Sequence, residues 1–270
     1  MTRPFDPARP AHGPLVPFPL RVLVPFAAIG LAGMVAGYRG WTWLERILGV
    51  VGFHGGLLAA SLAAAWEARR GWGPSAALMM LALLIAAAAC TLSPWGCLAY
   101  LLPPAALALL VYRRPELQRM GFAPGADWRT VALGGAVGCF LGIHLLLSAS
   151  RTLGYPVRLS PPAPYLTGLA YDVGANVLSA EAFFRGTLFN RWQRRWGFWT
   201  GALAATGLSV VRYLADPALP RTVEVVLGAV FYLALLSLSG CGLLWYCGSL
   251  GPALAASVVF FSAYRMLQVR

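Results

Sequence analysis

The side chains best suited to chemistry lie in one apolar stretch near the middle of the sequence, on two sides of a helix. Asp172, Asn176 and Ser179 share one face at about 100° per residue. Glu181 and Arg185 stand four residues apart on nearly the opposite face, a spacing at which helix salt bridges form. Such a pair in an apolar stretch is either functional or a neutralised pair that fixes helices together. The residues alone leave both interpretations open.

A second charged pair and three histidines complete this set. Arg212 and Asp216 are also four residues apart, but Asp216 precedes a proline, a common signal for the end of a helix. Asp216 is therefore either a site residue or an interfacial one. His12 lies in the N-terminal tail, whereas His54 and His144 are each alone on an apolar segment. We expect these two to be hydrogen-bonding core residues and not metal ligands.

The composition places these residues in lipid. Of the 270 residues, 59% are hydrophobic and 11% are charged, whereas soluble domains carry about 25% charged residues. The net charge of +12 comes from 21 arginines without any lysine. These arginines lie mainly between apolar runs, which indicates membrane topology and attraction to anionic headgroups, and not nucleic-acid binding. We expect an integral membrane protein of the all-α class, a polytopic bundle of about eight or nine transmembrane helices in the lipid bilayer.

Nine apolar runs are candidate spans, each near the roughly 20 residues that cross a hydrocarbon core. They are Val22–Tyr38, Ile47–Trp66, Ser75–Leu92, Trp95–Tyr112, Thr130–Ser150, Tyr165–Asn190, Phe198–Ala215, Val223–Tyr246 and Leu250–Leu267. A proline-rich tail, residues 1–21, precedes the first run, which we expect to be retained and not cleaved as a signal peptide. The break Arg151–Pro164 divides N-terminal helices in 22–150 from a C-terminal group in 165–267.

The arginines also predict an orientation. With a cytoplasmic N-terminus, twelve of them fall inside and eight outside. The inside set is Arg3, Arg9, Arg21, Arg69, Arg70, Arg113, Arg114, Arg119, Arg129, Arg191, Arg194 and Arg195, and the outside set is Arg39, Arg46, Arg151, Arg158, Arg212, Arg221, Arg265 and Arg270. We therefore expect the tail before Val22 and the loop Arg113–Arg129 to face the cytoplasm, in a plasma membrane of bacterial type. The five cysteines match no zinc or haem motif, so we expect packing thiols, no metal and no cofactor.

The stretch from Glu181 to Phe189 resembles the first motif of the CAAX protease and bacteriocin-processing (CPBP) family of intramembrane endopeptidases. In that family the motif is two adjacent glutamates, three residues and an arginine, usually with aromatics and a following glycine. Glu181 and Arg185 match the second glutamate and the arginine, and Gly186 follows. The run Gly248–Ala256 is similar to the start of the family's last helix. The resemblance covers roughly residues 165–267 and implies a CPBP-like, multi-helix intramembrane domain.

The resemblance also implies a catalytic site that this chain retains only in part. The family's first glutamate, which is thought to activate the attacking water, falls on Ala180. The second motif, an aromatic and then a histidine, falls on Arg212 and Asp216. The third motif, a histidine and then an asparagine, falls on Ser257 and Phe261. Alanine and phenylalanine can neither take a proton from water nor stabilise an oxyanion, so the site is degenerate.

Three functions are compatible with these patterns. The first is a pseudoenzyme of CPBP-like fold, a membrane subunit that binds a transmembrane protein partner, a peptide or a lipid. The second is an active endopeptidase whose site is rearranged to Glu181, Asp216 and Asp172. The third is a transporter or channel lined by the polar faces of the sixth span, although the sequence has no internal repeat of the kind many transporters carry.

Overall fold

The computed structural model describes residues 20–65, 74–113, 120–122, 127–159, 161–214 and 222–267. Within these ranges the chain forms nine helices, and its only β-type pairing is a single bridge between Val157 and Leu267. The helices are α1 (Leu20–Tyr38), α2 (Thr42–Gly49, Val50–Gly55 and Gly56–Ala65 in succession), α3 (Pro74–Leu92), α4 (Pro94–Leu101, then Leu102–Arg113), α5 (Trp128–Leu153), α6 (Pro162–Tyr171, Asp172–Val177, Leu178–Ala180, Glu181–Phe189 and Asn190–Trp196 in succession), α7 (Phe198–Leu214), α8 (Val223–Cys247) and α9 (Gly251–Tyr264). Each of the nine predicted spans lies on one of these helices, which confirms the all-α class.

Four helices are long and apolar enough to cross a membrane: α1, α2 over Thr42–Ala64, α5 and α8. Helices α3, α4 and α9 contain shorter apolar stretches. Large apolar side chains on the long helices are exposed, among them Val35, Phe140 and Leu227. Extensive apolar surface of this kind is unfavourable in water and is covered by lipid in a membrane. These helices are those of a membrane protein. That all nine helices cross the membrane stays a prediction.

Helix α6 differs from the long apolar helices in its middle part, which the chain covers on every side. All residues from 174 to 190 are buried. The prediction that this polar helix presents no side to lipid holds for these residues, whereas Leu166 near its start and Trp196 at its end are exposed. Two stretches of α6, Asp172–Val177 and Glu181–Phe189, are π-helical, with hydrogen bonds from i to i+5. Because π turns are wider, face assignments made at about 100° per residue do not hold across them.

The chain divides into two compact units, and α6 contributes to both. The N-terminal unit holds the described residues of 13–124 and 161–183, and the C-terminal unit holds those of 125–160 and 184–270. This division differs from the predicted segments 22–150 and 165–267. The physical reason is packing, since α5 contacts α9 along its length and so joins the C-terminal helices.

Close backbone contacts and a disulfide fix the N-terminal unit. Helices α1 and α2 meet where Gly52 touches the backbone of Gly30, with no room for a Cβ at residue 52. Cys90 and Cys97 form a disulfide across the turn between α3 and α4. The prediction that every cysteine is a packing thiol is therefore wrong for these two, because the turn brings the end of α3 against the start of α4.

A stripe of glycines sets the packing of the C-terminal unit. Gly134, Gly138 and Gly142 recur every four residues on α5 and face α9. A Cβ on Gly134 or Gly138 would overlap a backbone carbonyl of α9, that of Pro252 or Ala256. Small residues at this spacing allow membrane helices to approach closely. The contact explains why α5 belongs with α9 and not with the helices that precede it in sequence.

Candidate functional site

The buried acidic and basic side chains of the described residues all lie in π-helical segments. His54 lies in Val50–Gly55 of α2, Asp172 in Asp172–Val177, and Glu181 and Arg185 in Glu181–Phe189. Each is at most 6% exposed. π-helical turns inside α-helices are rare and occur frequently at functional sites. The coincidence marks α6 and the middle of α2 as the candidate site.

In the N-terminal unit, His54 joins α2 to α6 through two hydrogen bonds. The Ser179 hydroxyl donates to the carbonyl oxygen of Ala175 at 2.5 Å, and its oxygen lies 3.2 Å from Nδ1 of His54. Nε2 of His54 lies 2.8 Å from the Tyr171 hydroxyl. Both ring nitrogens of His54 are therefore hydrogen-bonded to residues of α6. The prediction that His54 is a hydrogen-bonding core residue is confirmed.

Tyr171, which the sequence argument did not single out, is positioned by its neighbours in the same unit. Its ring meets His54 edge-on at 5.5 Å between centroids and Tyr100 edge-on at 5.1 Å. Gly174, one helical turn later, touches the backbone carbonyl of Tyr100, where any Cβ would overlap it. A tyrosine in an apolar run needs a hydrogen-bond partner for its hydroxyl when it is buried. This requirement is the feature of the sequence that could have identified Tyr171 as a site residue.

The other predicted site residues in this part of α6 are also buried. Asp172 and Asn176 are 2% and 8% exposed and share one π-helical segment. Ala180 and Glu181 follow on the same helix, 1% and 2% exposed. The first-motif position where the family carries a carboxylate is therefore a buried methyl group. Within the described residues, no three histidine, cysteine or carboxylate side chains cluster to hold a metal ion.

In the C-terminal unit, Arg185 reaches α7, the helix on which the resemblance puts the second motif. Its Nη1 lies 3.5 Å from Oγ of Ser209 on α7, and both side chains are buried. Ser209 follows Thr206, whose hydroxyl donates to Ser237 of α8 at 2.9 Å. The predicted salt bridge between Glu181 and Arg185 stays a prediction; the two residues are buried four positions apart in one π-helical segment.

Phe261, where the resemblance puts the asparagine of the third motif, belongs to an aromatic cluster, defined here as Tyr213, Phe261 and Tyr264. The rings of Tyr213 on α7 and Phe261 on α9 stack at 5.9 Å, and Tyr264 meets Phe261 edge-on at 6.3 Å. Ser257, one turn before Phe261, is buried. The guanidinium of Arg212 lies over the Tyr213 ring at 4.4 Å. Asp216 lies outside the described residues.

His144 differs from the prediction made for it. Nδ1 of His144 lies 2.8 Å from the hydroxyl of Tyr232 on α8, so it does form a hydrogen bond. Its side chain, however, is exposed on α5. The core assignment is wrong because an isolated histidine in an apolar run does not reveal which side of the helix is covered.

Comparison with known proteins identifies no relative of this chain. No family model, no curated protein and no solved structure matches the chain.

Proposed function

We propose that this chain is an integral membrane protein of CPBP-like fold without peptidase chemistry, acting as a membrane subunit that binds a transmembrane helix, a peptide or a lipid. The observation that carries the proposal is the aromatic cluster at the third-motif position. The ring of Phe261, buried at the position where the family has its asparagine, offers neither a base nor an oxyanion donor, and Ala180 has no carboxylate where the family has its first glutamate. Peptide-bond hydrolysis needs both a base and an oxyanion donor.

The order of helix contacts in the C-terminal unit supports the CPBP-like fold. Arg185 of the first motif contacts Ser209 on α7, the second-motif helix. Tyr213 on α7 contacts Phe261 on α9, the third-motif helix. A family whose three motifs build one site requires these three helices to be neighbours.

The orientation with a cytoplasmic N-terminus is part of the proposal. It puts the α3–α4 turn outside, where an oxidising compartment maintains disulfides such as Cys90–Cys97. Nη1 of Arg46, at the α1–α2 end of the same unit, lies 3.5 Å from the carbonyl oxygen of Cys90. Alternating topology requires these two turns to lie on one side of the membrane. The disulfide and the arginine count therefore agree on independent grounds.

An activity assay on the purified protein tests the proposal. We expect no cleavage of a transmembrane or prenylated peptide and well under one zinc per chain by metal analysis. Losing one placed acid–base group costs roughly 10²–10⁴-fold in rate, and groups that act together fail together. Cleavage that Glu181→Gln abolishes would instead establish the rearranged peptidase.

A reverse variant tests the resemblance separately. It combines Ala180→Glu, Asp216→His, Ser257→His and Phe261→Asn, which restores the family's residues at all four positions. Peptidase activity in this variant would support the CPBP-like fold. A folded but inactive reverse variant would count against it.

A further inference from the structure

A surface rich in arginine and tryptophan surrounds the turn between α6 and α7. We define the Arg–Trp surface as residues 190–199. Helix α6 ends at Trp196, and Gly197 adopts a left-handed φ of 79° before α7 begins. The rings of Trp192 and Trp196 stack at 5.6 Å. The guanidinium of Arg195 lies 6.0 Å from the centre of the Trp196 ring.

This surface lies at one end of the C-terminal unit, together with other aromatic residues. Phe198 contacts Trp245 near the C-terminus of α8 at 5.0 Å. The start of α9 follows Trp245 closely and packs on Gly134 near the start of α5. Trp128, which begins α5, and Trp199 are 72% and 70% exposed. Exposed tryptophans collected at one end of a helix bundle are typical of the headgroup level of a bilayer.

The same end carries excess positive charge. Its described charged residues are Arg129, Arg191, Arg194, Arg195 and Asp127, four positive against one negative. Asp127 caps α5 by accepting from the backbone N–H of Arg129 at 3.0 Å. The other acidic residue among the described residues of this unit, Glu224, lies in the first turn of α8, at the opposite end of that helix from Trp245.

Partial burial of two arginines favours the binding of an anion at the Arg–Trp surface. Arg191 and Arg194 are half-buried, and burial lowers the pKa of each guanidinium because desolvation penalises the charged form. Arg194 also donates from Nη2 to Oδ1 of Asn190 at 3.2 Å, which orients its planar group at the helix end. One guanidinium group can donate two parallel hydrogen bonds to two oxygens of a phosphate. A bound phosphate would therefore offset the free-energy cost of desolvating Arg191 and Arg194.

We propose that the Arg–Trp surface binds the headgroup phosphate of an anionic phospholipid. A lipid fits better than a free phosphate ion because the exposed tryptophans and apolar helix faces beside the arginines provide contacts for glycerol and acyl chains. Basic side chains at a membrane surface each contribute about 1 kcal/mol to attraction for anionic lipid. The arginines supply the charge selectivity, and the tryptophans set the depth of the headgroup.

Lipid selectivity of the full-length protein tests this assignment. The probes are phosphatidylglycerol and phosphatidylcholine at equal mole fraction in mixed micelles, read by native mass spectrometry of retained lipid. We expect retained phosphatidylglycerol to exceed phosphatidylcholine, and the variant Arg191→Gln/Arg194→Gln/Arg195→Gln to lose that preference by about a hundredfold. The matched control is Arg151→Gln/Arg158→Gln/Arg265→Gln, which removes equal charge at the other ends of α5 and α9 and should keep the preference.

Each alternative outcome has a distinct meaning. An equal loss of preference in both triple variants would overturn the site in favour of net charge alone. Equal retention of the two lipids by the natural protein would also overturn it. Thermal stabilisation by inorganic phosphate that matches the effect of phosphatidylglycerol would assign the surface to free anions. If the triple variant does not fold, the exposed single change Arg195→Gln should still reduce the preference by about fivefold, and no reduction would count against the proposal.

Discussion

Two contacts between helices, one in each unit of this chain, depend on different physical terms. In the N-terminal unit, the hydroxyl of Tyr171, the imidazole of His54 and the hydroxyl of Ser179 form a series of hydrogen bonds between α2 and α6. In the C-terminal unit, Tyr213 and Phe261 meet through their rings. A buried polar series depends on every member, because a lost partner leaves a group unsatisfied. An aromatic contact depends chiefly on shape and volume.

A second difference concerns the positions at which the family resemblance requires reactive groups. The resemblance requires reactive groups on α7 and α9, and the third-motif asparagine position there holds Phe261, packed in the aromatic cluster. Hydrogen-bonded polar side chains occur on α2 and the first half of α6, and in the C-terminal unit between Arg185 and Ser209 and between Thr206 and Ser237. The hydrogen bonds of His54 with Tyr171 and Ser179 are therefore the contacts of the N-terminal unit in which loss of a single atom should be felt.

The largest effect should come from the charged residues of α6, which contributes to both units. Glu181→Ala and Arg185→Ala should each lower the free energy of unfolding by about 3–5 kcal/mol, because removing one buried charge leaves the other uncompensated. The double variant should lose less than the sum of the two single losses. Thermal unfolding in detergent measures all three. Strict additivity would mean that the two side chains do not interact.

A smaller effect should follow from crowding the glycine stripe of the C-terminal unit. Gly138→Ala places a methyl group against the carbonyl of Ala256 on α9 and should cost about 1–3 kcal/mol. The matched control is Gly135→Ala on the same helix, where a Cβ meets nothing within 4 Å. That change should be neutral or slightly stabilising, since alanine favours helices. Equal melting temperatures for the two variants would contradict the close approach of α5 and α9.

The polar series of the N-terminal unit should respond to removal of one oxygen. Tyr171→Phe keeps the ring contacts with Tyr100 and His54 but removes the hydroxyl that is hydrogen-bonded to Nε2 of His54. We expect a loss of about 1–2 kcal/mol from removal of this part-buried hydrogen bond. Tyr38→Phe is the control, because Tyr38 is 92% exposed at the end of α1 and should change stability by less than about 0.5 kcal/mol. A Tyr171→Phe variant as stable as the control would remove the basis for contrasting the two units.

The sequence predicted the helices well because hydropathy is a local property. Each apolar run long enough to approach the width of a bilayer became a helix, and the polar composition of α6 correctly indicated burial on all sides for residues 174–190. The bond from His54 to Tyr171 was not predictable, because it joins residues 117 positions apart and depends on how α2 packs against α6. The π turns also defeated face assignments at a fixed angle. The disulfide had a usable signal, two cysteines on either side of a Ser-Pro turn.

The last prediction concerns orientation and should leave stability unchanged. With a cytoplasmic N-terminus, single cysteines placed at residues 75 and 119, in a background without native cysteines, should resist a charged thiol reagent applied to intact cells. In the native background, Cys90 and Cys97 should become labelled from outside only after a reductant breaks their disulfide. The two arms are independent, since one follows from the distribution of arginine and the other from the redox state of the α3–α4 turn. Ready labelling at residue 75 or 119 would reverse the topology. Labelling of Cys90 and Cys97 without reduction would show that the turn carries free thiols, and the arginine count alone would then support the orientation.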